Sequence, residues 1–175
     1  MSHAVLSIGS NLGDRLGHLQ SVVTGLGPRV TAISRVYETA PWGDPGQDDF
    51  LNAVLVVDDP VLGAWEWLGL GERFERVAGR IRNSAAPNGP RTLDVDIIAC
   101  DGQRSDHPRL TLPHPRAHQR AFVLIPWLEA EPKALLEVDG VRYKLPALLA
   151  RLDSSEIDGV SATAHRLERA FVSPA

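Results

Sequence analysis

Two aspartates in an apolar run carry the strongest chemical signal in this chain. In "NGPRTLDVDII", residues 88–98, Leu93, Val95 and Ile97 alternate with Asp94 and Asp96. In a strand successive side chains point to opposite faces, so both carboxylates share one face, about 7 Å apart. Two acids with no lysine nearby make a hard-oxygen site of the kind Mg²⁺ prefers, and Mg²⁺ is commonly shared with substrate phosphates. Each acid could hold one ion, or the two could bridge a pair, as at many phosphoryl-transfer centres. The other use of the pattern is a solvated outer face, which is commoner for a bare D-x-D. Arg91 lies three residues upstream, and its side chain falls on the opposite face unless the backbone bends at Gly89-Pro90.

The surroundings of this strand are basic. Between positions 73 and 120 stand nine arginines, no lysine and five acids, a segment of about +4 inside a chain whose net charge is −4. Clustered guanidinium forks suit a compact polyanion such as a polyphosphate. The chain as a whole carries 16 Arg to 2 Lys, so an arginine-rich composition is the competing reading. "GRIR" puts Arg80 and Arg82 on a loop flank past a helix end. Arg109, Thr111 and His114 nearly alternate before a Pro-His-Pro turn. His114 and His118 have i,i+4 spacing but no glutamate partner, which speaks against zinc. Asn52 is an amide set mid-strand among aliphatics, able to offer donor and acceptor to a heterocycle or to be satisfied structurally. There is no P-loop, no Ser-His-Asp signature and no Cys-x-x-Cys pair.

The elements that must position these groups follow from periodicity. Residues 4–10 form a strand. A helix capped by Asn11 or Asp14 carries Leu16, Leu19, Val22, Val23 and Leu26 on one face and stops at Gly27-Pro28. Residues 30–38 form a second strand, and 39–49 a Pro/Gly/Asp-rich loop of a length usually reserved for function. Residues 50–58 are a third, central strand. Asp59 then caps a helix with Pro60 at its first position, running to Ala78 with Gly79 as the stop and Trp65, Leu68 and Val77 in the core. Gly69 and Gly71 weaken that helix. Residues 82–90 form a mobile loop of small residues, the Asp-bearing strand follows, and 109–115 are extended. A short helix ends before Pro132, Asp139-Gly140 turns a hairpin, and 147–152 close with a helical turn. The chain after Asp153 is expected to be a loosely held tail. This order suits an α+β sandwich with a mostly antiparallel sheet. A single domain over 1–160 with a tail over 161–175 is expected from 175 residues. No apolar stretch approaches the ~20 residues of a membrane span, and the N-terminus lacks the regions of a signal peptide. The single cysteine, Cys100, fits a reducing compartment, so the cytoplasm is expected. The net charge argues against a protein that coats nucleic acid.

In order, "SIGSNLGDR", "YETAPWG", "FLNAV", "FERVAGRIR", "GPRTLDVDII", "LTLPHP" and "RAFVLIPW" resemble the 6-hydroxymethyl-7,8-dihydropterin pyrophosphokinase family of folate biosynthesis. The resemblance runs from about Ala4 to Trp127 and more loosely to Leu152. It implies a ferredoxin-like α/β sandwich, two Mg²⁺ ions, ATP as co-substrate, and transfer of pyrophosphate from ATP to the pterin hydroxymethyl group with release of AMP. On the matching positions, Asp94 and Asp96 would ligate both ions. They would share catalysis with Arg80, Arg82 and Arg91. Glu72, Glu75, Ile97, Arg109, Thr111, His114 and Arg120 would meet the nucleotide, together with the catalytic arginines. Phe50 and Phe122 would sandwich the pterin, with Asn52 on its edge and Thr39, Ala40, Pro41 and Trp42 completing the pocket, near Asp94. Small molecules are the implied partners of a monomer, with neither nucleic acid nor membrane.

The chain departs from the family pattern at Asn88, where tryptophan is common, at Glu72 in place of glutamine, and at Pro115 after His114. The departures bear on loop closure and nucleotide contacts, not on the acid pair. The resemblance and the residues agree on phosphoryl-transfer chemistry, which asks for positioning and charge neutralisation more than covalent catalysis. Two other readings stand beside it. One is a simple Mg²⁺-ATP kinase on the same scaffold, which would release ADP. The other is a silent ferredoxin-like module binding single-stranded RNA, against which the acidic charge and low aromatic content count.

Overall fold

The structure, a computed structural model, describes residues 2–41, 46–82, 84–85 and 88–169. The chain begins with β1 (Ser2–Ser10) and α1 (Arg15–Leu26). Asp14 rather than Asn11 caps α1, its carboxylate accepting from Gly17 N at 3.0 Å. The stripe Leu19, Val22, Val23 and Leu26 is buried, and Gly27 ends the helix with φ +58°, a conformation that favours glycine. The expected second strand is interrupted into β2 (Val30–Ile33) and β3 (Tyr37–Thr39). Both pair with β4 (Phe50–Asp59), β2 with its second half and β3 with its start. Between them Ser34 takes over the ladder: its N–H donates to Val54 O and its hydroxyl accepts from Val54 N.

α2 (Ala64–Val77) starts later than the Asp59-Pro60 pattern predicts. Asp59 still pairs with Ser2 in the β1–β4 ladder, and its carboxylate accepts from the N–H groups of Val61 and Leu62, making a turn instead of a cap. The N-cap is Gly63, whose N–H donates to Glu66. The buried face of α2 is Ala64, Trp67, Gly71 and Glu75, spaced at helical intervals. Trp65 is 46% exposed and Val77 81%, so neither belongs to the core as expected; Leu68 is half-buried against it. Gly71 is the point of closest approach, since a Cβ there would sit 3.1 Å from Val95. What reads as a weak helix position is a seat for the strand below.

β5 (Asp94–Cys100) follows, then the small hairpin β6 (Ser105–His107) and β7 (Leu110–Leu112), α3 (Ala121–Ala130), the hairpin β8 (Leu135–Val138) and β9 (Val141–Lys144), and α4 (Leu145–Leu149). The Asp139-Gly140 turn lies where expected, both residues at positive φ. The chain after Asp153 is not irregular: it forms α5 (Ser154–Asp158) and β10 (Val160–Ala162). β10 crosses position 160 and joins the main sheet beside β3.

The sheet order is β10-β3-β4-β1-β5, with β2 also on β4 and every pair antiparallel. Counting β2 and β3 as one interrupted strand leaves a βαββαβ core, the ferredoxin-like α+β arrangement expected. One face packs on α1 and α2 through Leu6, Ile8, Leu55 and Val57. The other packs through Val5, Val54 and Ile98 on α3 and α4, with Trp127 and Leu136 at its centre. Among the described residues no helix is long and apolar enough to cross a membrane.

Candidate active site

On β5 the alternation works as the pattern requires. Val95 and Ile97 enter the core with α1 and α2, and Asp94 and Asp96 face the other way. Their neighbours on β1 are small: Gly9 lies opposite Asp94 and Ser7 opposite Asp96. Gly9 in turn lies opposite Asn52 of β4. A Cβ on Gly9 would stand 2.7 Å from Asn52 Oδ1, so only glycine lets the amide lie across the strand. Above this strip opens a cavity of about 590 Å³, lined by both aspartates, Ser7, Gly9 and Asn52 at its floor.

Arginines ring the acids. Arg80 Nη1 donates to Asp94 at 2.6 Å and also pairs with Glu75. Arg91 Nε stands 3.6 Å from Asp94, which it reaches because the backbone is irregular until β5 begins at Asp94. Arg120 Nη1 lies 3.5 Å and His114 Nε2 4.0 Å from Asp96. His114 is brought there by its own N–H, which donates to Ile98 O on the edge of β5. Burial and the Asp94 carboxylate push Asp96 up to about 7, although about a third (36%) of its side chain is open to the cavity. Burial, aided by Arg120, pulls His114 down to about 4, so the ring is neutral at pH 7. Its Nδ1 accepts from Arg116 N, which leaves the proton on Nε2, on the side of Asp96.

Glu75 is the buried organiser of the basic wall. It accepts from Val95 N at 3.0 Å and from Arg82 Nη2 at 2.5 Å, besides Arg80. Burial holds its carboxyl above the usual range. For Arg80 burial acts downward, but Asp94 and Glu75 outweigh it and the pKa rises. Burial lowers Arg120. Glu72 takes both its bonds from Arg109 Nη2, at 2.9 and 3.2 Å.

The other end of the cavity is aromatic and amide-lined. Phe50 carries the Arg91 guanidinium 5.2 Å from its ring centre, and Phe122 carries that of Arg120 at 5.5 Å. Asn52 Nδ2 donates to Thr39 Oγ1 at 2.7 Å, a buried bond that fixes which way the amide faces. Thr39, Ala40 and Pro41 form the adjoining wall. Asn11, expected only as a cap, ties the two loops at the mouth. Its Oδ1 accepts from Arg91 N, and its Nδ2 donates to Asp48 O and Gln47 Oε1. Gln47 Nε2 donates to Asn88 O, so the residue that departs from the family pattern lies against the opposite loop.

Of the residues singled out in the sequence, Glu72, Glu75, Arg80, Arg82, Arg91 and Arg109 line this one cavity with the acids, as do His114, Arg120, Phe50, Asn52, Phe122 and residues 39–41. Two are not brought in. Ile97 is buried in the core on the opposite face of β5, as its odd position dictates. Thr111 lies outside the lining, its hydroxyl donating to His107 O. Trp42 lies outside the described residues. Sequence reasoning missed Ser7, Gly9, Leu68, Val95 and Pro108. The first two had a signal, small residues alternating with Leu6 and Ile8 along β1. Among the described residues no group of three or more His, Cys, Asp or Glu stands together as a metal cage.

Residues 5–132 match the model of the family described as 7,8-dihydro-6-hydroxymethylpterin-pyrophosphokinase (HPPK). The chain is 49% identical over 171 residues to the 2-amino-4-hydroxy-6-hydroxymethyldihydropteridine pyrophosphokinase of Mycobacterium tuberculosis, covering 91% of this chain and 89% of that one. It is 47% identical to the Mycobacterium leprae protein of the same name, over 100% of this chain and 96% of the relative. Among solved structures it is similar in fold to Plasmodium falciparum HPPK-DHPS with pterin and p-hydroxybenzoate, with a TM-score of 0.64 and 12% identity. That alignment covers 92% of this chain and 45% of the longer one.

Proposed function

The chain belongs to the 7,8-dihydro-6-hydroxymethylpterin-pyrophosphokinase family, and from that premise we propose how its cavity divides the labour of the reaction. The enzyme transfers pyrophosphate from ATP to the hydroxymethyl group of 6-hydroxymethyl-7,8-dihydropterin, giving AMP and the pterin diphosphate, in folate biosynthesis. The observation that carries the residue assignment is the single sheet face on which Asp94 and Asp96 lie beside Asn52, ringed by arginines.

Asp94 and Asp96 would hold two Mg²⁺. The fit is chemical: an all-oxygen pair on one face, where burial and the Asp94 carboxylate raise Asp96 to about 7, a cost that a bound cation would relieve. Two protein ligands, with no third among the described residues, suit an ion that keeps waters and takes its remaining oxygens from phosphates. Bound there, the ions would supply neutralisation of the triphosphate.

The protein's own groups do the rest. Arg80 and Arg82 rest on Glu75, and Arg109 on Glu72. An incoming triphosphate competes with those carboxylates for forks that bind either in the same bidentate manner. Arg91 and Arg120 stand between acids and aromatic rings, where they can reach a phosphate while stacked. Neutral His114 offers a hydrogen bond to the nucleotide without adding charge. Phe50 and Phe122 would hold the pterin ring, and Asn52, its amide direction set by Thr39, would read the edge. The hydroxymethyl oxygen would then attack the β-phosphorus in line, with AMP as leaving group. No side chain is required as an obligatory strong base. A pH–rate profile set by one side-chain pKa, and abolished by a single substitution away from Asp94 and Asp96, would contradict that.

The cavity, about 590 Å³, suits small molecules such as ATP and the pterin, and a single chain would act on them. The catalytic domain would take in residues 1–160 together with the rest of β10 and the stretch to Leu167. The cytoplasm, where ATP is available and the lone buried Cys100 stays reduced, is the compartment that suits it. Incubation with ATP, Mg²⁺ and the hydroxymethyl pterin should yield AMP and the pterin diphosphate; ADP as product would overturn pyrophosphoryl transfer in favour of a simple kinase.

A further inference from the structure

The last described stretch of the chain lies beyond residues 5–132, yet it reaches the pterin end of the cavity. β3 is only three residues long and runs straight into Ala40 and Pro41. On one side it pairs with β4, Thr39 opposite Phe50 and Tyr37 opposite Asn52. On the other it pairs with β10, Val160 opposite Thr39 and Ala162 opposite Tyr37. The pairing is continued by Thr163, whose N–H and hydroxyl both donate to Val36 O, at 2.9 and 2.8 Å. Further along, Glu168 and Gln20 of α1 exchange hydrogen bonds, Gln20 Nε2 donating to Glu168 O and Glu168 N to Gln20 Oε1. Leu167 packs on the α1 side of the core. Behind the wall of Thr39, Ala40, Pro41 and Phe122 lies a second hollow of about 460 Å³, which Ser155, Glu156 and Val160 also line.

We propose that β10, led into by α5, is a positioning element for the pterin: by pairing with β3 it holds Thr39 where its hydroxyl fixes the Asn52 amide. The inference rests on the assignment of Asn52 and Thr39 to the pterin. Its physical basis is the weakness of a three-residue strand, which becomes an edge and frays when one of its two ladders is missing. A slip of β3 by one residue would turn Thr39 to the other face and free the amide to rotate. The ATP end is built on β5, α2 and the loop before α3, none of which pairs with β10, so the effect is confined to one substrate.

The test is steady-state kinetics of the full chain carrying Ser161→Pro, which breaks the β10 backbone pairing, against Ser161→Ala, which keeps it. Ser161→Pro should raise KM for the pterin about tenfold with KM for ATP and kcat within about twofold of the parent. Hydrogen exchange of residues 37–39 should speed up in the same variant, and Ser161→Ala should match the parent in both. If Ser161→Pro does not fold, Thr163→Val, which removes one of the two bonds to Val36 O, carries the same test with about a threefold rise. Faster exchange at 37–39 with an unchanged pterin KM would overturn the proposal, and so would equal changes for both substrates. Asn52→Ala serves as the reference. If it raises pterin KM while the β10 variants do not, the positioning role alone fails. If it does not, the pterin assignment fails and takes the positioning role with it.

Discussion

Gly9 and Glu75 are the residues on which the two halves of the cavity depend, each through the neighbours it seats. Gly9 leaves room for the Asn52 amide. Gly9→Ala must displace that amide and is expected to raise pterin KM about tenfold while KM for ATP stays near the parent value, a split read directly from two substrate titrations. Glu75 is the shared acceptor for Val95 N, Arg80 and Arg82. Removing it leaves a buried N–H and a buried guanidinium short of partners, so Glu75→Ala should destabilise the fold by about 2–4 kcal/mol. Glu75→Gln keeps the acceptor for Val95 N and should lose less. Urea titration of the two variants gives the order; equal losses would mean the backbone bond matters little. At this scale the sequence was informative where chemistry is concentrated. The D-x-D pattern, the arginines and the odd amide were all legible from type and spacing. Gly9 and Ser7 were not, because their importance comes from a neighbour on another strand, and no local pattern names that neighbour. Ile97 illustrates the converse: it follows the acid pair directly in sequence and lies on the opposite face in space.

Between elements, His3 is the clearest electrostatic joint. From β1 it pairs through Nδ1 with Asp58 at the end of β4 and through Nε2 with Glu131 just past α3, clamping the layer that carries Phe122. Burial acts to lower its pKa, but the bond to Asp58 and the charges of Glu131 and Asp58 outweigh it and raise it above 6.5. A raised histidine stabilises the fold fully below its unfolded pKa, and that contribution is lost as pH rises through the folded value. The unfolding midpoint should therefore fall between about pH 6 and pH 8, and His3→Gln should flatten that slope. An identical slope in the variant would show that the clamp carries no charge. Helix and strand existence followed from periodicity, but the facing of α2 did not. Trp65 and Val77 read as core by type, yet the helix turns Trp67, Gly71 and the charged Glu75 inward, because the sheet beneath it is also the back of a polar site. The break between β2 and β3 was hidden for a similar reason: Ser34 preserves the ladder with a side chain, so the apolar alternation continues through it.

Over the whole molecule, charge is sorted and not merely balanced. A −4 chain gathers an arginine-rich segment and folds it around two carboxylates. The composition contained that asymmetry, and the order of elements was enough to give the α+β class. The tail was misjudged because its contribution is an edge pairing with β3, a contact made at long range by three residues of no distinctive type. The central claim is that the polar face of β5 is the floor of a Mg²⁺-ATP site. Calorimetric titration of ATP, without pterin, into the parent and into Asp96→Ala, each with and without Mg²⁺, tests it most directly. The parent should bind ATP at least about tenfold more tightly with Mg²⁺, and Asp96→Ala should lose that gain. ATP binding of equal strength with and without Mg²⁺, in parent and variant alike, would contradict the account.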